Sequence, residues 1–175
     1  MEIPDLKQFI ERDKDEEFDG MVFDFKSKTS LTKTELLRIA DWKFYRLWPS
    51  RHKKWIESNP DELIKKTTER AIKEIDDKNK VEILDALTGV GIPMASAILT
   101  VLNPNDYGVI DINAWYALNS EEKRSFTSYD FILFMKKIRE IAKKQNLCAR
   151  QTEIGLFKWG QERRGKNKKK KNCID

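Results

Sequence analysis

Histidine occurs once in this chain and cysteine twice, and that scarcity removes several kinds of chemistry at once. His52 has no histidine or cysteine companion at a ligand spacing, so no zinc motif is present, and Ser-His or Cys-His nucleophilic catalysis has little to build on. His52 therefore reads as a surface residue. Cys148 and Cys173 lie too far apart for a metal-ligand pair and form no disulfide framework, which leaves free thiols of a reducing cytosol as the expectation. No apolar run approaches the roughly 18 residues that a membrane span needs. The N-terminus lacks a basic segment followed by an apolar one, so the expected location is cytoplasmic, with no membrane partner. Internal repeats are missing, and the only low-complexity segment is the C-terminal end.

What the chain does have is charge. Asp, Glu, Lys and Arg make up 36% of it against 39% hydrophobic residues, a globular balance with a heavily charged surface. At 175 residues it is sized for one domain. The formal net charge of +5 favours an anionic partner, and the charge is polarised. Glu11, Asp13, Asp15, Glu16, Glu17 and Asp19 crowd the start, whereas Arg163, Arg164, Lys166 and Lys168 to Lys171 crowd the end. Such a basic end either holds phosphate backbones without reading sequence or is a solvated, flexible tail. The expected organisation is an acidic N-terminal segment over 1–30, a helical domain over 31–160 and a basic, flexible tail over 161–175.

Hydrophobic periodicity predicts an all-α fold. A first short helix is expected near Leu6 to Ile10, followed by a charged stretch and an alternating piece from Met21 to Phe25. Thr32 to Glu35 reads as a capping box opening a helix over 32–47, with Leu36, Ala40, Phe44 and Leu47 on one face and Pro49 as its stop. A shorter helix follows around Arg51 to Glu57. Asn59 to Glu62 opens another, with Ile64, Ala71 and Ile75 as its buried stripe. Helices from Lys80 to Leu87 and from Pro93 to Leu102 flank Gly89-Val90-Gly91. Beyond them lie a short helix over Ile112 to Leu118, one capped by Ser128 and a last one from Ala149 to Trp159.

The stretch Leu87-Thr88-Gly89-Val90-Gly91-Ile92-Pro93-Met94-Ala95-Ser96 is the most informative. Two glycines in a tight turn permit positive φ and leave backbone amides open to a phosphate, and the helix starting at Pro93 adds its unpaired amides and positive dipole end there. Pro93 sits where a helix needs no donor. Taken alone, the same stretch is also an ordinary tight turn between two helices.

It resembles the Leu-x-Gly-Val-Gly-x-x-x-Ala hairpin of the helix-hairpin-helix DNA glycosylase superfamily, in which a hydrophobic pair and a catalytic aspartate follow some twenty residues later. Val109-Ile110-Asp111 stand at that separation here. The resemblance is close over 80–118, with Trp115 where family members, 8-oxoguanine glycosylases among them, carry an aromatic. Upstream, Trp42, Lys43 and Arg46 after a leucine-rich helix look like small bacterial proteins of the same superfamily. The resemblance implies a compact glycosylase-like helical domain that binds double-stranded DNA through Gly89, Val90, Gly91, Ile92, Met94, Ala95 and Ser96, and in the cell is nucleoid-associated through that DNA. Asp111 would be catalytic, stabilising a cationic sugar and accepting a water proton as a flipped damaged, mismatched, modified or phage-type base leaves. Trp42, Lys43, Arg46, Asn113 and Trp115 are candidates for pocket or phosphate contacts. Trp42 equally suits a core position, and Asp111 equally suits an N-cap for the helix at Ile112.

Three departures bear on mechanism. Strand-cleaving relatives carry a lysine two residues after the second glycine, where this chain has Pro93, so the resemblance implies a monofunctional enzyme that leaves an abasic site. An iron-sulfur cluster would need four cysteines, and two cannot supply it. Relatives often carry histidine two residues after the aspartate, where Asn113 stands. No cofactor is implied beyond a monovalent cation on the hairpin's backbone carbonyls, and no protein partner is inferred. A non-catalytic hairpin module that binds DNA is the competing expectation.

Overall fold

The structure is a computed structural model that describes residues 2–10, 15–44 and 50–171, the side chains of 50–52 and 166–171 excepted. Arg46, Leu47 and Pro49 lie outside the described residues, as does the side chain of His52. Among the described residues ten helices follow one another: α1 (Lys7–Ile10), α2 (Glu16–Phe25), α3 (Lys33–Lys43), α4 (Ser50–Glu57), α5 (Asp61–Lys73), α6 (Asp77–Asp85), α7 (Ile92–Leu102), α8 (Ile112–Asn119), α9 (Ser128–Gln145) and α10 (Ala149–Lys171). No strand occurs among the described residues.

The core is organised around α7. Its residues Met94 to Val101 are all buried, because α2, α3, α6 and α9 pack around it. A helix apolar on every side belongs at the centre of a fold, where each fully buried Ile or Leu contributes roughly 1.5–3 kcal/mol. Around this axis, the second close assembly is α8 against α10. Gly160 of α10 faces the carbonyl of Asn113 so closely that a Cβ there would collide with that oxygen, and it would lie 3.2 Å from the Ala117 Cβ. None of the described helices is long and apolar enough to cross a membrane.

The N-terminal residues belong to this core. Leu6, Phe18, Met21 and Phe25 are buried, α1 packs on α10 and α2 on α7. Met21 to Phe25, read as an alternating piece, is the second half of α2. A period-two reading turns Met21, Phe23 and Phe25 to one side, but Phe23 is 84% exposed while Phe18, Met21 and Phe25 share the helical stripe. Asp15 caps this helix through the amide of Phe18.

Other boundaries shift for local reasons. The capping box at Thr32 and Glu35 forms as expected, with each side chain bonded to the other's backbone amide. Ile75 is 92% exposed, since α5 ends at Lys73; the stripe of Ile64 and Ala71 is completed instead by Thr68, which donates to the Ile64 carbonyl and accepts the Leu31 amide. Thr127, one residue before Ser128, is the cap of α9, and Asp130 closes its box. The last helix runs on past Trp159 to Lys171. Arg163 and Arg164, assigned to a flexible tail, bind α8: Arg163 donates to the Ala117 carbonyl and the Ser120 hydroxyl, and Arg164 to the Asn113 side chain.

Candidate functional site at Asp111

The hairpin between α6 and α7 is fixed from below. Gly89 has φ +82°, the left-handed region that glycine adopts freely, and a Cβ there would meet Ile56 at 2.9 Å. Its glycine is thus required by the packing of α4 as well as by the turn. The buried Asn59 donates to the Thr88 and Ile56 carbonyls and accepts the Thr88 amide, clamping the turn to the α4–α5 junction. Gly91 is exposed at the N-terminus of α7, and Pro93 lies in the first turn.

Placement separates the hairpin residues expected to meet DNA. Gly89 and Gly91 present backbone at the turn. The side chains of Val90, Ile92, Met94, Ala95 and Ser96 are buried and pack in the core, which leaves the backbone of these residues as what the turn can offer a phosphate. Ser96 has a further task. Its hydroxyl donates to the Pro93 carbonyl at 2.8 Å and accepts the Ile110 amide at 3.1 Å, tying α7 to the residue before Asp111. The carbonyls of Leu87 and Thr88 each accept one internal bond, whereas that of Gly91 accepts the amides of both Met94 and Ala95.

With Val109 and Ile110 anchored in the core, Asp111 emerges in extended conformation at the N-terminus of α8. Its Oδ1 accepts the amides of Asn113 and Ala114 at 2.9 and 2.8 Å. Oδ2 has no hydrogen bond among the described residues, and Asp111 is part of the lining of a cavity of about 230 Å³. That is below the roughly 300–1,000 Å³ of a drug-sized pocket, which makes it room for one ring system.

Lys43, in the last turn of α3, shares the cavity with Asp111 and with Glu153 of α10. Burial pulls the Lys43 amine below the usual lysine range; Asp111 and Glu153 pull it back up, and Arg150 opposes them. Burial likewise pushes the Glu153 carboxyl up, against the ion pair it makes with Arg150. Arg150 lies 4.5 Å from the Phe18 ring and 5.2 Å from the Trp42 ring, and its Nε is buried without a hydrogen-bond partner among the described residues. Trp42 donates its indole N–H to Asp15 at 2.8 Å and forms part of the cavity wall, with Val109, Ile154 and Phe157 as apolar lining.

Of the candidate contacts, Trp42 and Lys43 thus join Asp111. Trp115 and Asn113 do not line the cavity. Trp115 is buried against Phe126 with Lys123 5.2 Å above its ring, and the Asn113 side chain is held by Arg164. Successive residues of a helix point in different directions, so the cap of α8 lines the cavity while these two residues of its first turns do not.

Arg150, Glu153 and Asp15 escaped the reading of the sequence. Arg150 and Glu153 stand three apart on a helix, a pattern that ordinarily means a solvated surface pair, and nothing in the sequence marks them as buried. A larger cavity of about 930 Å³ lies on α2 and α3, with Asp15, Glu17 and Asp41 in its lining. Only Arg38 stands against those three carboxylates, whereas Lys43, Arg150 and Lys158 balance Asp15, Asp111 and Glu153 in the smaller cavity, which is therefore the better candidate for nucleic-acid chemistry. Compared with family models, with curated proteins and with solved structures, the chain has no match in any of the three.

Proposed function

We propose that the protein is a DNA N-glycosylase that hydrolyses the bond between a damaged, mismatched or modified base, phage-type bases included, and its sugar. The observation that carries this reading is how Asp111 is held: two backbone amides fix its Oδ1, and the residue lines the cavity. A fixed carboxylate stabilises positive charge that develops on the sugar as the base leaves, and it accepts a proton from the attacking water. The base, inaccessible in a duplex, has to be flipped outward, and an apolar wall of Val109, Ile154 and Phe157 suits one planar ring. The exposed turn at Gly91 would take a phosphate on backbone amides at the start of α7.

The experiment is abasic-site formation on a panel of duplexes with damaged, mismatched and phage-type bases, comparing native protein with Asp111→Asn. Release of a base by the native protein and its loss in the variant, with DNA binding retained, is the expected result. A second reading is favoured by the same two amide bonds: Asp111 as a helix cap alone, in a hairpin module that binds DNA without chemistry. Binding to every duplex with no base released by the native protein selects it.

A further inference from the structure

Helix α4 does little for the core. Of its described side chains only Ile56 is buried, while Trp55 is 45% exposed and Lys54 is exposed beside it. The helix carries Arg51, Lys53 and Lys54 against one acid, Glu57. Lys53 faces Asp41 of α3 at 3.8 Å, whereas the Lys54 side chain makes no hydrogen bond or ion pair among the described residues. Tryptophan combines a large apolar face with a polar edge, which suits a surface that a partner covers.

The place of this helix gives its composition a use. A Cβ at Gly89 would lie 3.0 Å from the Trp55 Cβ, so the base of the Trp55 side chain rests on the hairpin turn. Asn59 fixes the pair: its side-chain nitrogen donates to the carbonyls of Trp55, Ile56 and Thr88, and its oxygen accepts the Thr88 amide. One buried side chain thus holds the end of α4 and the turn in a single register. The other flank of the turn has the opposite charge. Asp85, the last residue of α6, has its Oδ1 4.0 Å from where a Cβ at Gly91 would lie. A phosphate seated on the turn meets a carboxylate on the α6 flank and a basic helix on the α4 flank, so the strand that carries it is steered towards α4.

We infer that Trp55 and Lys54 extend the hairpin into one interface for duplex DNA, in which Lys54 pairs with a phosphate next to the one on the turn and Trp55 lays its ring against the sugar between them. The amides of Gly91 and Ile92 make no hydrogen bond among the described residues. A phosphodiester strand, with charged oxygens on either side of each sugar, uses those amides, the amine and the ring together. The inference rests on the DNA-binding part of the reading above and is independent of any chemistry at Asp111. None of these contacts reaches a base edge, so the surface adds affinity for every sequence alike.

The test measures affinity of the full chain for an undamaged labelled duplex, and for one of its strands alone, by fluorescence anisotropy over a series of salt concentrations. Trp55→Ala keeps the Cβ that meets the turn and removes the ring. It should weaken duplex binding about tenfold, the order expected when a large aromatic face is no longer withdrawn from water, and leave the salt dependence unchanged. Lys54→Gln should flatten the slope of log affinity against log salt by about 0.9, the worth of one phosphate contact. Lys136→Gln removes an equal charge from an exposed position on α9 and should do neither. Circular dichroism checks each fold, and a measurement on the native protein needs no variant: duplex DNA should slow acetylation of Lys54 and not that of Lys136. Duplex binding that ignores both α4 substitutions, with Lys54 unprotected, overturns the inference and leaves the DNA reading standing. Tighter binding of the single strand than of the duplex also overturns it, because the ring would then be stacking on bases. No binding of the duplex by the native protein removes the DNA reading and the inference together.

Discussion

The amide of Ala114 donates to Oδ1 of Asp111 at 2.8 Å, so a residue that lines the cavity is also the cap of α8. Catalytic and capping readings of this aspartate therefore coexist, and two substitutions separate them. Asparagine keeps an oxygen for the amides of Asn113 and Ala114 and is as good a cap, so Asp111→Asn should leave the urea midpoint nearly unchanged. Alanine removes the cap and should cost about 1 kcal/mol. Both should lower base release by roughly 10²- to 10⁴-fold, the usual worth of a positioned proton acceptor. Equal loss of stability in both variants would contradict the arrangement.

Lys43 should be a site where the protein gives up stability. Its environment disfavours the charged amine more than water does, with burial outweighing the attraction of Asp111 and Glu153. The folded pKa lies below 10.5, so the folded chain binds fewer protons than the unfolded one between the two values. The penalty is complete below the folded pKa and disappears as pH rises through it towards 10.5. Lys43→Met should therefore raise stability by about 1 kcal/mol near neutral pH, in line with apolar replacement of a buried charge. The gain should shrink in alkaline solution, and thermal midpoints at pH 7 and pH 10 measure it.

Asn59 is the strut beneath the hairpin. It is buried and bonds Thr88 on both its amide and its carbonyl, at 3.0 and 2.8 Å. Asn59→Ala leaves those backbone groups without partners in a dry setting, which should cost about 2 kcal/mol. It also loosens the turn that presents Gly91. Duplex binding should weaken about equally for every sequence, since phosphate contacts carry no sequence information, and fluorescence anisotropy across several duplexes checks this.

Legibility of the sequence followed the range of the interactions. The capping box at Thr32, the hairpin at Gly89 and the aspartate beyond it rest on neighbours a few residues apart, and each stands where its residues place it. Phe18 with Met21 and Phe25 forms a helical stripe that a five-residue alternating window hides. The cavity lay further out of reach: Lys43, Asp111 and Glu153 come from three helices and meet only through packing around α7 and the close approach at Gly160. Burial of Arg150 between Phe18 and Trp42 is a tertiary fact with no local signature. Fates of the hairpin residues divided for the same reason, because small side chains at 95 and 96 serve helix packing whether or not DNA is near.

Gly160 and Gly165 occupy the same helix, and alanine at each should move stability in opposite directions. At Gly165 a Cβ meets nothing within 4 Å, so Gly165→Ala gains the helix preference of alanine, about 0.8–1 kcal/mol. The same preference applies at Gly160, but there the new methyl collides with the Asn113 carbonyl oxygen, and backbone cannot rotate away as a flexible side chain can. Helix α8 would have to withdraw from α10, and overpacking of this kind costs typically 1–3 kcal/mol or more. Because Asp111 heads α8, that withdrawal also shifts its carboxylate relative to Glu153, which stays with α10. Gly160→Ala should therefore lower the thermal midpoint and the rate of base release together, whereas Gly165→Ala raises the midpoint and leaves the rate alone. Identical melting of the two variants would show that α8 and α10 are not pressed together at Asn113.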